Sequence, residues 1–260
     1  MSYLNFDHLI VQKEGKILVI KFYNPAKKNC LNRFAYQELT RALTEVNNDE
    51  EITIVVITGV GEYFTAGNEL SLASQVPDFG ALLKESNDIF KSMISSFINC
   101  TKLIFTLVNG PSIGIGTTIV GLSDVAWCAE EAHFLTPFSK LGLVPEACSS
   151  YTFPLIMGRS KATEMLLLNE KLSAQEAYHF NFVSRVFKLS ELDSVVWPKI
   201  REYAELPPHS IKESKRLINV SLRENLIRAN DEECAELLNR MYDDEFVQAM
   251  VKFLNRKSKL

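Results

Sequence analysis

Cysteine is sparse, scattered and odd in number. The five residues (Cys30, Cys100, Cys128, Cys148, Cys234) include no pair at C-x-x-C spacing, which excludes a disulfide framework or a zinc site as the default reading and favours a reducing compartment. The four histidines (His8, His133, His179, His209) stand alone and no H-E-x-x-H occurs, so each reads as structural or exposed and no metal is expected. Long apolar runs are missing too. Stretches such as Ile52 to Thr58 and Leu103 to Val108 fall far short of the roughly 20 residues a membrane-spanning helix requires. Charge of one sign is not in excess: 28 Lys+Arg face 32 Asp+Glu for a net of −4, which gives no electrostatic ground for binding nucleic acid or an anionic membrane. The first residues lack a basic segment followed by an apolar one, so no secretory signal is expected. Phosphate motifs fail as well. Gly114-Ile-Gly116 is followed by Ile119 where the dinucleotide fingerprint needs glycine, and no G-x-x-x-x-G-K-[ST] exists.

What is present is an ordinary globular composition, 47% apolar over 260 residues, enough for one sizeable core. Strand patterns at residues 17–23, 52–58, 103–108 and 124–129 alternate with helical periods at 32–48, 81–99, 113–122, 161–168 and 174–179. Asn32 is placed to cap the first helix, and Ser173 with Glu176 forms a capping box. Residues 139–150 read as irregular. The alternation predicts an α/β layer architecture. Pro207-Pro208 marks a boundary between a domain over 1–205 and a charged helical region over 206–260.

Three segments carry candidate chemistry. Two follow strands and are rich in small residues: Phe64-Thr-Ala-Gly-Asn-Glu-Leu70 and Asn109-Gly-Pro-Ser-Ile-Gly-Ile-Gly116. Small residues let backbone N–H groups approach a ligand, and two such groups aimed at one oxygen stabilise developing negative charge. Tight turns serving only packing would look the same. Gly110-Pro-Ser-Ile-Gly114 also matches the nucleophile-elbow pattern G-x-S-x-G, with Asp124 and His179 or His209 in the right order for a Ser112 hydrolase. The third segment is Leu141 to Ser150, where Glu146 is the one carboxylate between Glu131 and Glu164 and has apolar or small neighbours. Desolvation makes such a carboxylate a stronger base, while a surface loop glutamate is the bland alternative. The chain ends in Ser258-Lys259-Leu260, a receptor-read peroxisomal address.

Together, Asn24-Pro25, Phe64 to Leu70, Val108 to Gly116 and Thr136 to Gly142 resemble the crotonase (enoyl-CoA hydratase/isomerase) superfamily. Within it, Val144 to Pro154 and Lys161 to Leu166 are similar to peroxisomal Δ3,Δ2-enoyl-CoA isomerases. The resemblance implies a crotonase-like (Clp protease/crotonase) spiral of ββα units with a C-terminal helical region used in trimer assembly, and a homotrimer or hexamer. It implies an enoyl-CoA thioester substrate and no separate cofactor, since CoA is part of the substrate. It places the thioester oxygen between the N–H groups of Ala66 and Ile115, substrate contacts over Ala66, Gly67, Asn68, Glu69 and Leu70, and the catalytic carboxylate at Glu146. Lys27 or Lys28 would reach the nucleotide phosphates. The two glutamates with which hydratases of this superfamily handle water fall here on Thr118 and Phe138, so the implied activity is double-bond migration from 3-enoyl- to 2-trans-enoyl-CoA rather than hydration. That places the protein in β-oxidation of unsaturated fatty acids in the peroxisomal matrix, delivered by the import receptor. A non-catalytic acyl-CoA-binding protein with the same fold is the alternative alongside the hydrolase.

Overall fold

Strand β2 (Ile17–Phe22) shows why the chain layers as it does. Its residues are almost all buried, but they divide between two faces: Leu18 and Ile20 enter one apolar cluster and Ile17 and Val19 the other. Strand β3 (Ile54–Gly59) divides in the same way, with Val55 and Ile57 on the first face and Ile54 and Val56 on the second. A strand covered on both sides reads as a continuous apolar run, as parallel strands do.

The computed structural model describes residues 3, 6–69 and 78–257. Strand β1 (Leu9–Glu14) pairs antiparallel with β2. Helix α1 (Arg33–Glu45) starts at Asn32, whose side chain accepts from the N–H groups of Phe34 and Ala35. Helix α2 (Phe79–Asn99) follows β3, and β4 (Leu103–Val108) follows α2. The short β5 (Ser112–Ile113) and α3 (Ile115–Thr118) lead to β6 (Val125–Ala129) and β7 (His133–Leu135). Then come α4 (Ser149–Met157), α5 (Arg159–Leu166), β8 (Leu172–Ser173), α6 (Ala174–His179), β9 (Arg185–Phe187) and α7 (Trp197–Ala204). The C-terminal helices are α8 (Pro208–Asn219), α9 (Arg223–Met241) and α10 (Asp244–Lys257).

The main sheet runs β1-β2-β3-β4-β6-β9, parallel from β2 onward, and β5-β7-β8 form a second, small sheet. The larger cluster joins the sheet to α1, α2, α4 and α9, and the smaller one joins it to α7. Helix α9 therefore packs back onto the domain that precedes Pro207, against α2 and α4.

The expected strands and most expected helices are present, including the Ser173–Glu176 capping box. Three differences stand out. The expected helix over 113–122 breaks into β5, the single turn α3 and a 3-10 turn over Ile119–Leu122. Its pattern mixes a strand bridge with a glycine hinge. Helix α4 lies where irregular chain or no element was expected. Pro154 sits inside it, and a proline in an apolar stretch argues against a helix. The edge strands β1 and β9 were not apparent from the sequence.

Among the described residues, no helix is long and apolar enough to cross a membrane.

Candidate active site

In parallel sheets, ligands bind beyond the carboxyl ends of the strands. Here β3 and β4 are neighbours in register, Thr58 opposite Leu107, so the segments that follow them leave the sheet side by side. Two buried amide side chains lock these segments together. Asn109 donates to Gly61 O at 2.7 Å and accepts from Gly59 N at 3.0 Å. Asn29, just past the Asn24-Pro25 turn, donates to Val60 O and Tyr63 O, both at 2.8 Å. Thr65 then bridges to Ser112, tying the first small-residue loop to the second.

The contact between the loops is close. Gly67 has φ +86°, and a Cβ there would lie 2.8 Å from Ile113 O. Gly114 has φ 56° and ψ −122° at the entrance to α3, a conformation that only glycine adopts freely.

Each main-chain donor of the first loop can be traced. Ala66 N donates to Lys28 O at 2.9 Å, Gly67 N to Thr65 Oγ1 at 3.0 Å and Glu69 N to Leu31 O at 2.8 Å. Only Asn68 N has no partner among the described residues. This corrects the expectation for Ala66: its proton is already committed, because Lys28 O lies where a ligand oxygen would have to be. In the second loop Gly114 N donates to Leu135 O, Gly114 O accepts from Thr117 N and Thr118 N, and Ile115 N has no partner among the described residues. The Ile115 side chain is buried in the core. Among the described residues, Asn68 N and Ile115 N thus stand without a partner, one on each loop.

Glu146 lies on the turn before α4. Ala147 and Cys148 both have positive φ, 55° and 61°, and Ser149 N donates to Glu146 O at 3.1 Å. The Glu146 residue keeps part of its surface accessible, and its carboxyl makes no hydrogen bond among the described residues. The protein packed around it pushes this carboxyl up to about 8, with the nearby charge of Glu233 adding to the effect.

Tyr36, on α1, links this acid to the donor loops. It is 4% exposed, stacks edge-on with Phe90 at 5.7 Å and has a hydroxyl with no hydrogen-bond partner among the described residues. Burial raises its phenol well above the ordinary value, and the charges of Glu146 and Cys30 raise it further. Cys30 directly precedes Leu31, which bridges to Asn68. One phenol therefore senses both the acid and the base of the donor loop.

The remaining expected residues fall as follows. Glu69 forms an ion pair with Lys27, so this lysine is neutralised locally, whereas Lys28 lies over the Tyr63 ring at 4.9 Å. Leu70 and Ser258-Lys259-Leu260 lie outside the described residues. Thr118 and Phe138 are buried, Thr118 Oγ1 donating to Ile115 O at 3.2 Å. Ser112 is fully buried and its Oγ has no hydrogen-bond partner among the described residues. Asp124 is taken by Lys215 at 2.6 Å and by Ile104 N at 2.7 Å, and the His179 ring packs on Phe180. Among the described residues, no Ser-His-Asp hydrogen-bond chain is assembled.

Residues 12–259 match the family described as Enoyl-CoA hydratase/isomerase. The chain belongs to that family. Among curated proteins it is 42% identical over 257 residues to Enoyl-CoA delta isomerase 2 of Homo sapiens, covering 98% of this chain and 65% of the relative's length. It is 38% identical over 252 residues to Enoyl-CoA delta isomerase 3, peroxisomal, of Mus musculus, covering 96% of this chain and 79% of that relative. Among solved structures, an enoyl-CoA hydratase/isomerase from Pseudoalteromonas atlantica T6c superposes with a TM-score of 0.87 at 31% identity, covering 96% of this chain and 98% of that one. The fold is thus the crotonase fold, with a helical C-terminal region. The enoyl-CoA hydratase/isomerase family holds more than one reaction, so the residues at the site must separate them.

Sequence reasoning overlooked Tyr36, Glu233 and the locking role of Asn29. A tyrosine on the apolar face of a helix looks like any core aromatic, and a glutamate in a charged helix like any solvated one. The Asn68 donor was missed because a motif identifies a loop but does not say which of its N–H groups are spent.

Proposed function

We propose that the chain is a Δ3,Δ2-enoyl-CoA isomerase, moving the double bond of 3-cis- or 3-trans-enoyl-CoA to the 2-trans position. The observation that carries this reading is Glu146: one carboxyl, held up to about 8, with non-ionisable side chains at Thr118 and Phe138. A hydratase needs further acid–base equipment to add water across the double bond. An isomerase needs one base that takes a proton and gives it back.

In the proposed mechanism the thioester oxygen accepts from Asn68 N–H and Ile115 N–H. A C2 proton of the 3-enoyl thioester is both α to the carbonyl and allylic. Glu146 removes it, the C–H electrons enter the conjugated system, and a dienolate forms with its charge on the oxygen. The protonated Glu146 then delivers the same proton to C4, the C2–C3 double bond forms, and the carboxylate is regenerated. No net proton is exchanged. A main-chain donor of this kind is worth about 2.7–4 kcal/mol to the transition state. A base titrating near 8 is matched to an acid as weak as the thioester α-carbon better than an ordinary glutamate is.

The names of the human and mouse relatives support this activity. The mouse relative's name and the Ser258-Lys259-Leu260 terminus support a peroxisomal site of action in β-oxidation of unsaturated fatty acids, with an import receptor as partner. Exposed Leu155, Leu217, Ile218 and Val220 support assembly into trimers or hexamers. The test is a direct one. Purified protein given 3-enoyl-CoA should generate the absorbance of the conjugated thioester, and given 2-enoyl-CoA should leave that absorbance nearly unchanged. Rapid loss of the conjugated absorbance in water would mean hydration and would overturn the proposal.

A further inference from the structure

Glu233 is a carboxylate in an unusual position. It sits on α9, in the C-terminal helical region, and is 7% exposed. Its two oxygens are both used: Oε2 accepts from Cys148 N at 2.6 Å and Oε1 from Ser150 N at 2.8 Å. These N–H groups open helix α4, which has no cap of its own, since Cys148 at the cap position offers no side-chain acceptor. A glutamate 83 residues away from Ser150 in sequence thus caps the helix that begins just after Glu146. Burial raises the Glu233 carboxyl, and the Ser150 and Cys148 donors oppose that rise.

Two further contacts hold the same segment to the C-terminal helices. Cys148 Sγ lies 3.2 Å from Leu226 O, on α9. At the other end, a Cβ on Gly142 would fall 3.0 Å from the Phe246 backbone, on α10. The turn with its two positive-φ residues, Ala147 and Cys148, is therefore gripped on both sides by helices that lie beyond Pro207. Positive φ at non-glycine residues persists where the surroundings over-determine it.

We propose that Glu233 is a positioning residue for Glu146: through its hydrogen bonds to Cys148 N and Ser150 N it clamps the turn that presents the Glu146 carboxyl and fixes its own carboxyl in the neighbourhood of that acid. This proposal rests on the isomerase reading for its effect on rate, but not for its effect on titration. The Glu233 charge raises the Glu146 carboxyl, and two carboxyls that act on each other in a buried site do not readily ionise together. Glu233 has two N–H donors and a helix N-terminus to hold its charge, whereas Glu146 has neither. The environments push the pair apart, as in acid–base pairs generally. The other titratable groups that face Glu146 are Tyr36 on α1 and Cys234 on α9, both of which its charge pushes up. Cys234 also feels Lys91, whose ammonium is held by Asp231 at 2.7 Å.

The test uses the full chain and needs no substrate. The pH dependence of unfolding is measured for wild type and Glu146→Gln, and again for Glu233→Gln with and without Glu146→Gln. The difference within each pair isolates the titration of Glu146. With Glu233 neutralised, its midpoint should fall measurably yet stay above the ordinary glutamate range, because burial, the larger cause, remains. Glu233→Asp, which keeps the charge but shortens the reach, should leave the midpoint in place while kcat on 3-enoyl-CoA falls at least tenfold and KM changes little. A cap with a merely structural role would lower the melting temperature in both variants and leave the Glu146 midpoint unmoved, and that result would overturn the proposal. Should the Glu233 variants fail to fold, 13Cδ-glutamate NMR of wild type, assigned with Glu146→Gln alone, decides it. Coupled titration of two carboxyls with separated midpoints supports the proposal, and independent single-step titration of Glu146 overturns it. If Glu146→Gln keeps its isomerase rate, the isomerase reading fails, while the shift in midpoint remains a separate result.

Discussion

Replacing Glu146 by Gln should make the protein more stable and less active at once. Its carboxyl is pushed from the ordinary 4.5 up to about 8, so the folded protein holds a proton that the unfolded chain has released by neutral pH. A group raised in this way contributes its full stability below about pH 4.5, and that contribution is lost as pH rises through about 8. At about 1.36 kcal/mol per pKa unit, holding the proton costs folding up to roughly 3 kcal/mol at pH 7. Solvent reaching the part-exposed residue reduces this, so a gain of about 1–3 kcal/mol is expected. For a chain of this size, that raises the melting temperature by about 2–8 °C. Glutamine has nearly the same shape and nothing to ionise, so its advantage should grow between pH 5 and 8 and then level off. In the same variant the isomerase rate should fall by about 10²–10⁴-fold, the usual worth of a general base. Wild-type kcat/KM should rise with pH up to about 8, where the free acid titrates. Denaturant unfolding across pH, paired with the appearance of conjugated thioester, measures both. A stability difference that does not change with pH, or a rate within tenfold of wild type, would refute the reasoning.

Three other substitutions probe the rest of the site. Ile115→Pro removes one unpaired N–H at the first position of α3, where proline's φ suits a helix start. It should lower kcat by about 10²–10³-fold, with acyl-CoA binding, read by calorimetry, changed far less. Gly67→Ala places a methyl 2.8 Å from Ile113 O at φ +86°. It should cost about 2 kcal/mol or more in urea unfolding and spread the two donors apart, so a variant of unchanged stability and rate would contradict the close contact of the loops. Tyr36→Phe deletes a buried hydroxyl that has no partner. Its stability should change by less than about 1 kcal/mol or improve, since no hydrogen bond is lost, and a large destabilisation would show that the hydroxyl is bonded after all.

The sequence revealed different parts of the molecule to different degrees. The β2, β3 and β4 strands were legible because burial on both faces leaves an unbroken apolar run. Asn32 and Ser173 announced helix starts through local hydrogen-bonding chemistry. Helix α4 was not legible, because its cap is Glu233, far away in sequence, and Pro154 masks its period. Glu146 was apparent as a lone acid in an apolar stretch. The charge that tunes it was not, since only the fold brings α9 to the turn before α4. The donor at Asn68 needed the structure for another reason: Lys28 O claims Ala66, and such an exclusion leaves no trace in residue types.

Part of the proposed catalytic apparatus contains no side chains. Asn68 and Ile115 would act through amide hydrogens that every residue except proline carries, so those two positions can drift in identity without touching the chemistry. What cannot drift are torsion angles, fixed by glycines 67 and 114. A lineage built on this plan can hold its charge-accepting cradle constant and change reactions by moving a carboxylate from one wall to another, and anyone reading its members by side chain alone will find the wrong residues invariant.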